Sequence, residues 1–157
     1  MEYSLIIRKA QKSDAGDIYS ILKNSFEQYL EKSGIDLPVD AMLDDIASIE
    51  RDIEAMDVFI ALIDGIPVGT VRVAIREGAP ALLTKLGVAA GYHNIGIGKS
   101  LLNLVDKVIA SRGATSLELY TASKNSGIMR FYYGRGFYVD STTKDRGYIR
   151  ALMRKDY

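Results

Sequence analysis

The sequence predicts an α/β (α+β) protein with a mixed, mostly antiparallel sheet of about seven strands and helices on both faces. Short segments rich in Val, Ile and Leu recur along the chain, and amphipathic segments with helical spacing separate them. The Asp64-Gly65 pair between two apolar segments is typical of a hairpin turn. A hairpin followed by alternating strands and helices requires both antiparallel and parallel pairs in one sheet.

The chain has 157 residues, which is enough to bury a hydrophobic core of its own. It contains no internal repeat, no low-complexity segment and no linker that would divide it. We therefore expect a single domain over residues 1–157.

The first third of the chain predicts one strand and two helices. The strand is expected at Leu5–Arg8, and Ser13 or Asp14 is the expected N-cap of the first helix. Residues Gly34–Pro38 end that helix, and a second amphipathic helix is expected over Asp40–Met56. The residues predicted to face the core are Ile18, Ile21, Leu22 and Phe26 in the first helix, and Met42, Leu43, Ile46, Ile49 and Ile53 in the second.

The rest of the chain predicts six strands and two helices, and the full order is β-α-α-β-β-β-α-β-α-β-β. The strands are expected at Asp57–Ile63, Ile66–Ile75, Ala81–Val88, Leu117–Thr121, Phe137–Val139 and Tyr148–Met153. One helix runs to about Arg112, where Gly113 is the expected C-cap, and the other covers Asn125–Arg135 before Gly136.

The most informative stretch runs from Leu86 to Leu102 and reads L-G-V-A-A-G-Y-H-N-I-G-I-G-K-S-L-L. An apolar strand enters a turn with Gly96 and Gly98, and the turn opens directly into a helix. Glycine lets the backbone approach a ligand closely, and the first turn of a helix offers unpaired N–H groups and a positive dipole end. The stretch therefore predicts a pyrophosphate-binding site.

Two other phosphate-binding loops do not fit this stretch. The position where a Walker A loop requires its first glycine is His93, although Gly98, Lys99 and Ser100 match its end. A dinucleotide fingerprint requires a third glycine at Leu101, and it follows the first strand of a domain rather than a strand past mid-chain.

What remains resembles the acetyl-CoA loop of the GNAT acyltransferase superfamily, which reads Arg or Gln, two variable residues, Gly, one variable residue, then Gly or Ala. His93 stands here in the Arg/Gln position. A second stretch, Asn125 to Phe137, reads N-S-G-I-M-R-F-Y-Y-G-R-G-F and is similar to the other landmark of that superfamily. Gly127 departs from it, since alanine is commoner there. The element order resembles the GNAT fold over essentially the whole chain.

The resemblance implies an N-acetyltransferase that moves an acetyl group from acetyl-CoA to a primary amine, on a small molecule or a protein, by direct attack. It implies that Tyr132 protonates the departing sulfur and that the Val88 amide stabilises the oxyanion. Gly87 suits the bulge that would free this amide. The residues expected to bind the cosubstrate are Leu86, Gly87, Val88, His93, Asn94, Ile95, Gly96, Ile97, Gly98, Lys99, Ser100, Asn125 and Tyr132.

Fewer residues in the sequence indicate where the amine acceptor would bind. Tyr29 and Asp36 lie near the loop between the first two helices, and Glu118 lies on the fifth strand, so these three are the candidate acceptor-binding residues. Carboxylates around that loop would suit a cationic amine, although charged residues are equally typical of a solvated loop. The fourth strand contains no acid, so we expect a water-mediated base or none.

Composition excludes several classes of function. The 20 basic and 20 acidic residues balance, so no nucleic-acid or membrane partner is expected. The chain has no cysteine and one histidine, so we expect no disulfide, no cysteine nucleophile and no metal site. No apolar stretch suits a signal peptide or a membrane span, which predicts a cytoplasmic protein. Exposed edges at the last strands are compatible with a homodimer.

Three alternatives remain open at this stage. The first is a catalytically silent acyl-CoA-binding sensor or interaction module, which would keep the glycine loop and would not need Tyr132. The second is a toxin-like enzyme that acetylates aminoacyl-tRNA, which would be expected to carry a basic face. The third keeps the chemistry and uses a longer acyl-CoA as donor.

Overall fold

Seven strands and four α-helices form the protein in a computed structural model, which describes residues 3–36 and 44–157. The strands are β1 (Leu5–Lys9), β2 (Asp57–Ile63), β3 (Ile66–Ala74), β4 (Ala81–Val88), β5 (Ser116–Ala122), β6 (Tyr138–Thr143) and β7 (Arg150–Asp156). The helices are α1 (Ala15–Ser33), α2 (Ile46–Ala55), α3 (Ile97–Arg112) and α4 (Ser126–Tyr133), and a 3-10 turn at Lys12–Asp14 precedes α1. Within the described ranges, no helix is long and apolar enough to cross a membrane.

The strands form one sheet in the order β1-β2-β3-β4-β5-β7-β6, which confirms the predicted mixed α/β class. Among the described strands only β4 and β5 are parallel neighbours, and their register covers only Ala81–Leu117 and Leu82–Glu118. The two strands therefore diverge beyond these pairs. We call the space between them the β4–β5 gap; Thr84 and Leu86 line it from β4, and Tyr120 and Thr121 from β5.

Helices cover both faces of the sheet, as predicted. On one face α3 and α4 bury residues such as Leu101 and Tyr132 against the strands. On the other face α1 and α2 bury Ile18, Ile49 and Ile53. The apolar spacing that predicted these helices is thus the pattern that holds them on the sheet.

Helix α2 begins later than predicted. Asp45 is its N-cap and accepts a hydrogen bond from the Ser48 amide at 2.7 Å, while the Ser48 hydroxyl caps the Asp45 amide in return. Ile46 was predicted to face the core, and this is wrong: it is 47% exposed, because the first helical position points away from the sheet. The predicted start at Asp40, with Met42 and Leu43, lies outside the described residues.

The other boundary differences follow from pairing and capping. Asp14 is the N-cap residue of α1, as predicted, but its side chain makes no capping bond to the helix; its carboxylate accepts from the Gln11 amide at 2.7 Å and binds Arg8 instead. Strands β6 and β7 extend beyond the predicted ends, because β7 pairs with β5 as far as Ser116–Asp156. Strand length there depends on the partner strand rather than on the apolar pattern.

Candidate active site

The glycine loop turns the chain sharply from β4 into α3. Gly96 precedes the helix with φ +89°, a left-handed conformation that favours glycine, and the helix begins at Ile97. The Ser100 amide donates to the Gly96 carbonyl oxygen at 2.9 Å, so it is engaged inside the helix. The amides of the first turn that precede it, at residues 97–99, have no partner within the helix.

Gly98 is required by a close contact rather than by its backbone angle. A Cβ at this position would lie 3.2 Å from Cζ of Phe131 on α4. The missing side chain therefore lets α4 pack directly against the first turn of α3. This contact brings together the two motifs that the sequence analysis treated separately.

Three hydrogen bonds hold the loop against the rest of the protein. Oδ1 of Asn24 on α1 accepts from the Ala90 amide at 2.8 Å, and the Tyr3 hydroxyl donates to the Ile95 carbonyl oxygen at 3.3 Å. His93 Nε2 lies 2.8 Å from the Val88 carbonyl oxygen. Since a carbonyl only accepts, the proton of this bond is on Nε2. His93 thus ties the loop back to the end of β4.

The bulge in β4 lies at Lys85 rather than at Gly87. Lys85 has φ +56°, and the register with β3 shifts between Thr70 and Arg72, opposite this residue. Gly87 itself pairs regularly with Thr70. It is needed for packing instead, because a Cβ there would lie 3.2 Å from the Leu22 side chain of α1.

The direction of the Val88 amide follows from the hydrogen bond of the next residue. The next amide, that of Ala89, donates to the Val68 carbonyl oxygen of β3 at 2.8 Å. Successive amides of a strand point to opposite sides, so the Val88 amide points away from β3 and toward the diverging side.

Tyr132 lies at the bottom of the gap. Its side chain is 5% exposed and packs edge-on between the rings of Phe131 and Phe137, at centroid distances of 5.4 and 5.5 Å. Burial raises the pKa of the Tyr132 phenol above its ordinary value, and the nearby Tyr29 hydroxyl raises it further. The phenol is therefore in its protonated form at neutral pH.

Tyr29 reaches into the same gap from α1. Its hydroxyl accepts from the Ala122 amide at 2.5 Å and lies 3.3 Å from Thr121 Oγ1. Tyr29 was predicted to bind the acceptor; in the structure its hydroxyl fastens α1 to the end of β5.

Asn125 caps α4 and links it to α1. Its Oδ1 accepts from the Ile128 amide at 3.1 Å, and its Nδ2 donates to Ser33 Oγ at 3.3 Å. The side chain is buried, so both of its polar atoms are satisfied where water has little access.

Two cavities meet at this place. A cleft of about 420 Å³, here called the loop cleft, lies between α1, the glycine loop and α4. A cavity of about 80 Å³ fills the β4–β5 gap and includes Tyr132 in its lining. The residues common to both linings are Phe26, Tyr29, Leu86 and Ile128.

Most of the predicted cosubstrate-binding residues line the loop cleft. They are Leu86, Gly87, Val88, His93, Asn94, Gly96, Ile97, Gly98, Lys99 and Asn125. Ile95 and Ser100 are not in this lining, and Tyr132 lines the gap instead. The sequence analysis missed Ser25, Gln28 and Lys32 of α1. These residues follow Leu22 at helical intervals toward the C-terminus of α1, and this spacing could have been used to predict them.

The other two predicted acceptor residues lie away from the gap. Asp36 is exposed and does not line any of the cavities described here. Glu118 lies opposite Leu82, at the closed end of the β4–β5 pair, and forms an ion pair with Arg76 at 3.7 Å. Over residues 3–36 and 44–157, His, Asp and Glu side chains form no cluster of three that could hold a metal ion.

The comparison with known families identifies the class of this protein. The profile of the acetyltransferase (GNAT) family matches residues 17–137, so the chain belongs to that family. This confirms the resemblance found in the two motifs. No curated protein matches the chain.

Solved structures of acetyltransferases share the fold. PaiA N-acetyltransferase from Thermoplasma acidophilum, in complex with coenzyme A, has a TM-score of 0.84 at 22% identity, with 98% of this chain and 99% of that one covered. YncA, a putative acetyltransferase from Salmonella typhimurium with acetyl-CoA, has 0.77 at 16%, covering 98% and 94%. The ribosomal-protein-S18-alanine N-acetyltransferase from Escherichia coli has 0.78 at 18%, covering 98% and 94%.

Proposed function

We propose that this protein transfers an acetyl group from acetyl-CoA to a primary amine, by direct attack of the amine, with Tyr132 as the general acid. The observation that carries the proposal is the junction of the two cavities. The loop cleft and the β4–β5 gap share four lining residues, and Tyr132 lies in the gap just beyond them.

The loop cleft fits the charge and shape of the cosubstrate. A Cβ at Gly98 would close the approach to α4, and Gly96 adopts a backbone angle that exposes the first amides of α3. Lys32 and Lys99 add positive charge to the same lining. Unpaired amides and cations at a helix N-terminus favour a pyrophosphate group. When bound, acetyl-CoA supplies the acetyl group as a reactive thioester.

The Val88 amide is the proposed oxyanion donor. It points away from β3, toward the side on which β4 and β5 diverge, and a fixed N–H group there meets negative charge as it develops on the carbonyl oxygen without reorganising. The hydrogen bond from His93 to the Val88 carbonyl oxygen holds the peptide group between Val88 and Ala89 in place and so fixes the end of β4. Such a donor contributes about 10²- to 10³-fold in rate.

The Tyr132 hydroxyl is the proposed source of the proton for the leaving thiolate. A tyrosine phenol carries its proton at neutral pH, and burial, which raises the pKa of Tyr132, keeps it in that form. No carboxylate lines the described part of the gap, so the proton of the attacking amine passes to water. A positioned acid of this kind contributes about 10²- to 10⁴-fold in rate.

The test measures thiol release from acetyl-CoA over a panel of amines, amino acids and peptides. Tyr132→Phe keeps the ring packing and removes the proton, so kcat should fall about 100-fold while the Kd for CoA stays unchanged. Tyr133→Phe is the matched control, since this neighbouring tyrosine is 51% exposed. Equal turnover in wild type and Tyr132→Phe would contradict the acid role. CoA binding without thiol release on any acceptor would favour a silent binding module.

A further inference from the structure

Among the described residues that line the three cavities around the proposed reaction site, the formally charged ones are all lysines. Lys32 and Lys99 line the loop cleft, and Lys85 lines the β4–β5 gap. Lys124 and Lys144 line a third cavity of about 290 Å³, here called the outer cavity. No Asp or Glu in the described part of the chain belongs to any of these linings. The chain carries 20 acidic and 20 basic residues, so this bias does not reflect its composition.

The outer cavity adjoins the gap. Ser33 and Ala122 belong to its lining. Ser33 lies one helical turn beyond Tyr29, and Ala122 is the residue after Thr121; both Tyr29 and Thr121 line the gap. The hydroxyl of Tyr29, which lines the gap, accepts from the amide of Ala122, which lines the outer cavity, so this hydrogen bond links the two linings. A small molecule that reaches the gap from this side would pass the outer cavity first.

The two lysines of the outer cavity are available to a ligand. Neither Lys124 nor Lys144 forms an ion pair with any residue in the described ranges. The acidic neighbour on the same turn, Asp145, is instead bound by Arg150 at 3.1 Å. The cavity therefore presents positive charge that no described side chain balances.

We propose, on the basis of the function proposed above, that the acceptor is a small amine carrying a carboxylate or phosphate group, which Lys124 and Lys144 bind in the outer cavity. The anionic group anchors the molecule there, and its amine enters the β4–β5 gap. A polyamine would place a second ammonium among lysines, and like charges at short range repel. This proposal differs from the expectation in the sequence analysis, where the carboxylates near residue 36 suggested a cationic acceptor.

The test uses amines in pairs that differ by an anionic group: butylamine with 4-aminobutyrate, and ethanolamine with phosphoethanolamine. Spermidine represents the polycations. We expect kcat/KM to be at least about tenfold higher for the anionic member of a pair, and the two pairs distinguish carboxylate from phosphate. A preference for spermidine or for the neutral members would overturn the proposal.

The lysines are tested with a Lys124→Gln/Lys144→Gln double variant. KM for the preferred anionic amine should rise about fivefold or more with kcat and the Kd for CoA unchanged, and the corresponding double arginine variant should restore it. Lys107→Gln, an exposed lysine of α3 outside the cavities, is the matched control. An unchanged KM in the double variant would refute the assignment.

A binding measurement separates this proposal from the function proposed above. The same amines are titrated calorimetrically onto the CoA-loaded protein, and onto the double variant. Tighter binding of the anionic member, lost in the double variant, supports the outer cavity even if no amine is acetylated. Absence of thiol release on every acceptor would contradict the proposed acetyl transfer alone, and equal binding of both members would contradict the anion site alone.

Discussion

Gly96 and Gly98 stand two residues apart in the loop, and different constraints act on them. Gly96 has a positive φ with open space around it, whereas Gly98 has close contact with the Phe131 ring. A sequence motif shows glycine at both positions, but only at Gly98 does contact with a neighbouring side chain favour it. The two positions therefore respond differently to the size of a substituted side chain.

Gly98→Val should weaken CoA binding about tenfold or more, because the side chain displaces Phe131 and intrudes on the first turn of α3. Calorimetric titration of CoA measures the effect. Gly16→Ala is the control, since Gly16 lies in α1 with nothing within 4 Å of an added Cβ. Unchanged CoA affinity in Gly98→Val would mean that the loop does not contact the cosubstrate.

At the scale of elements, the start of α1 depends on an ion pair. Arg8 donates to both carboxylate oxygens of Asp14, at 2.7 and 2.9 Å, and this bond together with the Gln11 amide holds the pKa of Asp14 below its usual range. A carboxyl whose pKa is lower in the folded state stabilises the fold above its unfolded pKa. That stability is lost as the pH falls through the folded pKa.

Asp14→Asn should therefore lower the free energy of unfolding by about 1–2 kcal/mol at pH 7, and by less below about pH 4. Urea unfolding at several pH values measures this dependence. Asp17→Asn, an exposed position in the first turn of α1, is the control for helix-dipole effects. A loss that is the same at pH 3 and pH 7 would contradict the ion-pair account.

A buried ionic cluster fastens α2 to the sheet. Arg72 of β3 is fully buried and donates to Asp52 of α2 and to Asp44, both at 2.6 Å. Asp44 also accepts from the Ser48 hydroxyl and lies 3.7 Å from Lys85 at the bulge. The segment that enters α2 is thus tied to β3 through Arg72 and, through Lys85, to β4, which borders the β4–β5 gap.

Arg72→Met should lower the free energy of unfolding by about 3–5 kcal/mol, because it leaves two carboxylates near the core without their cation. Arg76→Met is the control on the same side of the sheet: its side chain is 40% exposed and pairs with Glu118 at 3.7 Å, so the loss should stay below about 1 kcal/mol. Equal losses in the two variants, measured by urea unfolding, would contradict this difference.

At the scale of the whole molecule, one parallel pair in an otherwise antiparallel sheet creates the site. Because β4 and β5 pair only at Ala81–Leu117 and Leu82–Glu118, their far ends diverge. The opening receives Tyr29 from one face and Tyr132 from the other. The balanced net charge conceals a separation, since lysines line the cavities while carboxylates pair elsewhere.

Local rules allowed much of this to be predicted. The glycine loop, the helix it opens and the Asn125 cap depend on backbone angles and orphan amides within a few residues, which neighbouring letters encode. The helix start at Ile46 was not predictable from apolar spacing, because the cap formed by Asp45 and Ser48 set it. Gly87 was assigned to a bulge because glycine suits both bulges and close packing. The close contact between Gly87 and Leu22 of α1 shows that close packing, and not a bulge, accounts for this glycine.

By itself, the sequence determined the fold class and the family, and it predicted a phosphate-binding loop, since periodicity, turn residues and helix caps are local properties. Only the tertiary structure decided what surrounds the reaction gap. Tyr29 reaches Thr121 across 92 residues, and Asn24 reaches Ala90 across 66. The lysines of the three cavities come from five separate segments of the chain, between residues 32 and 144. Such contacts depend on how the sheet diverges between β4 and β5, which no short stretch of sequence specifies.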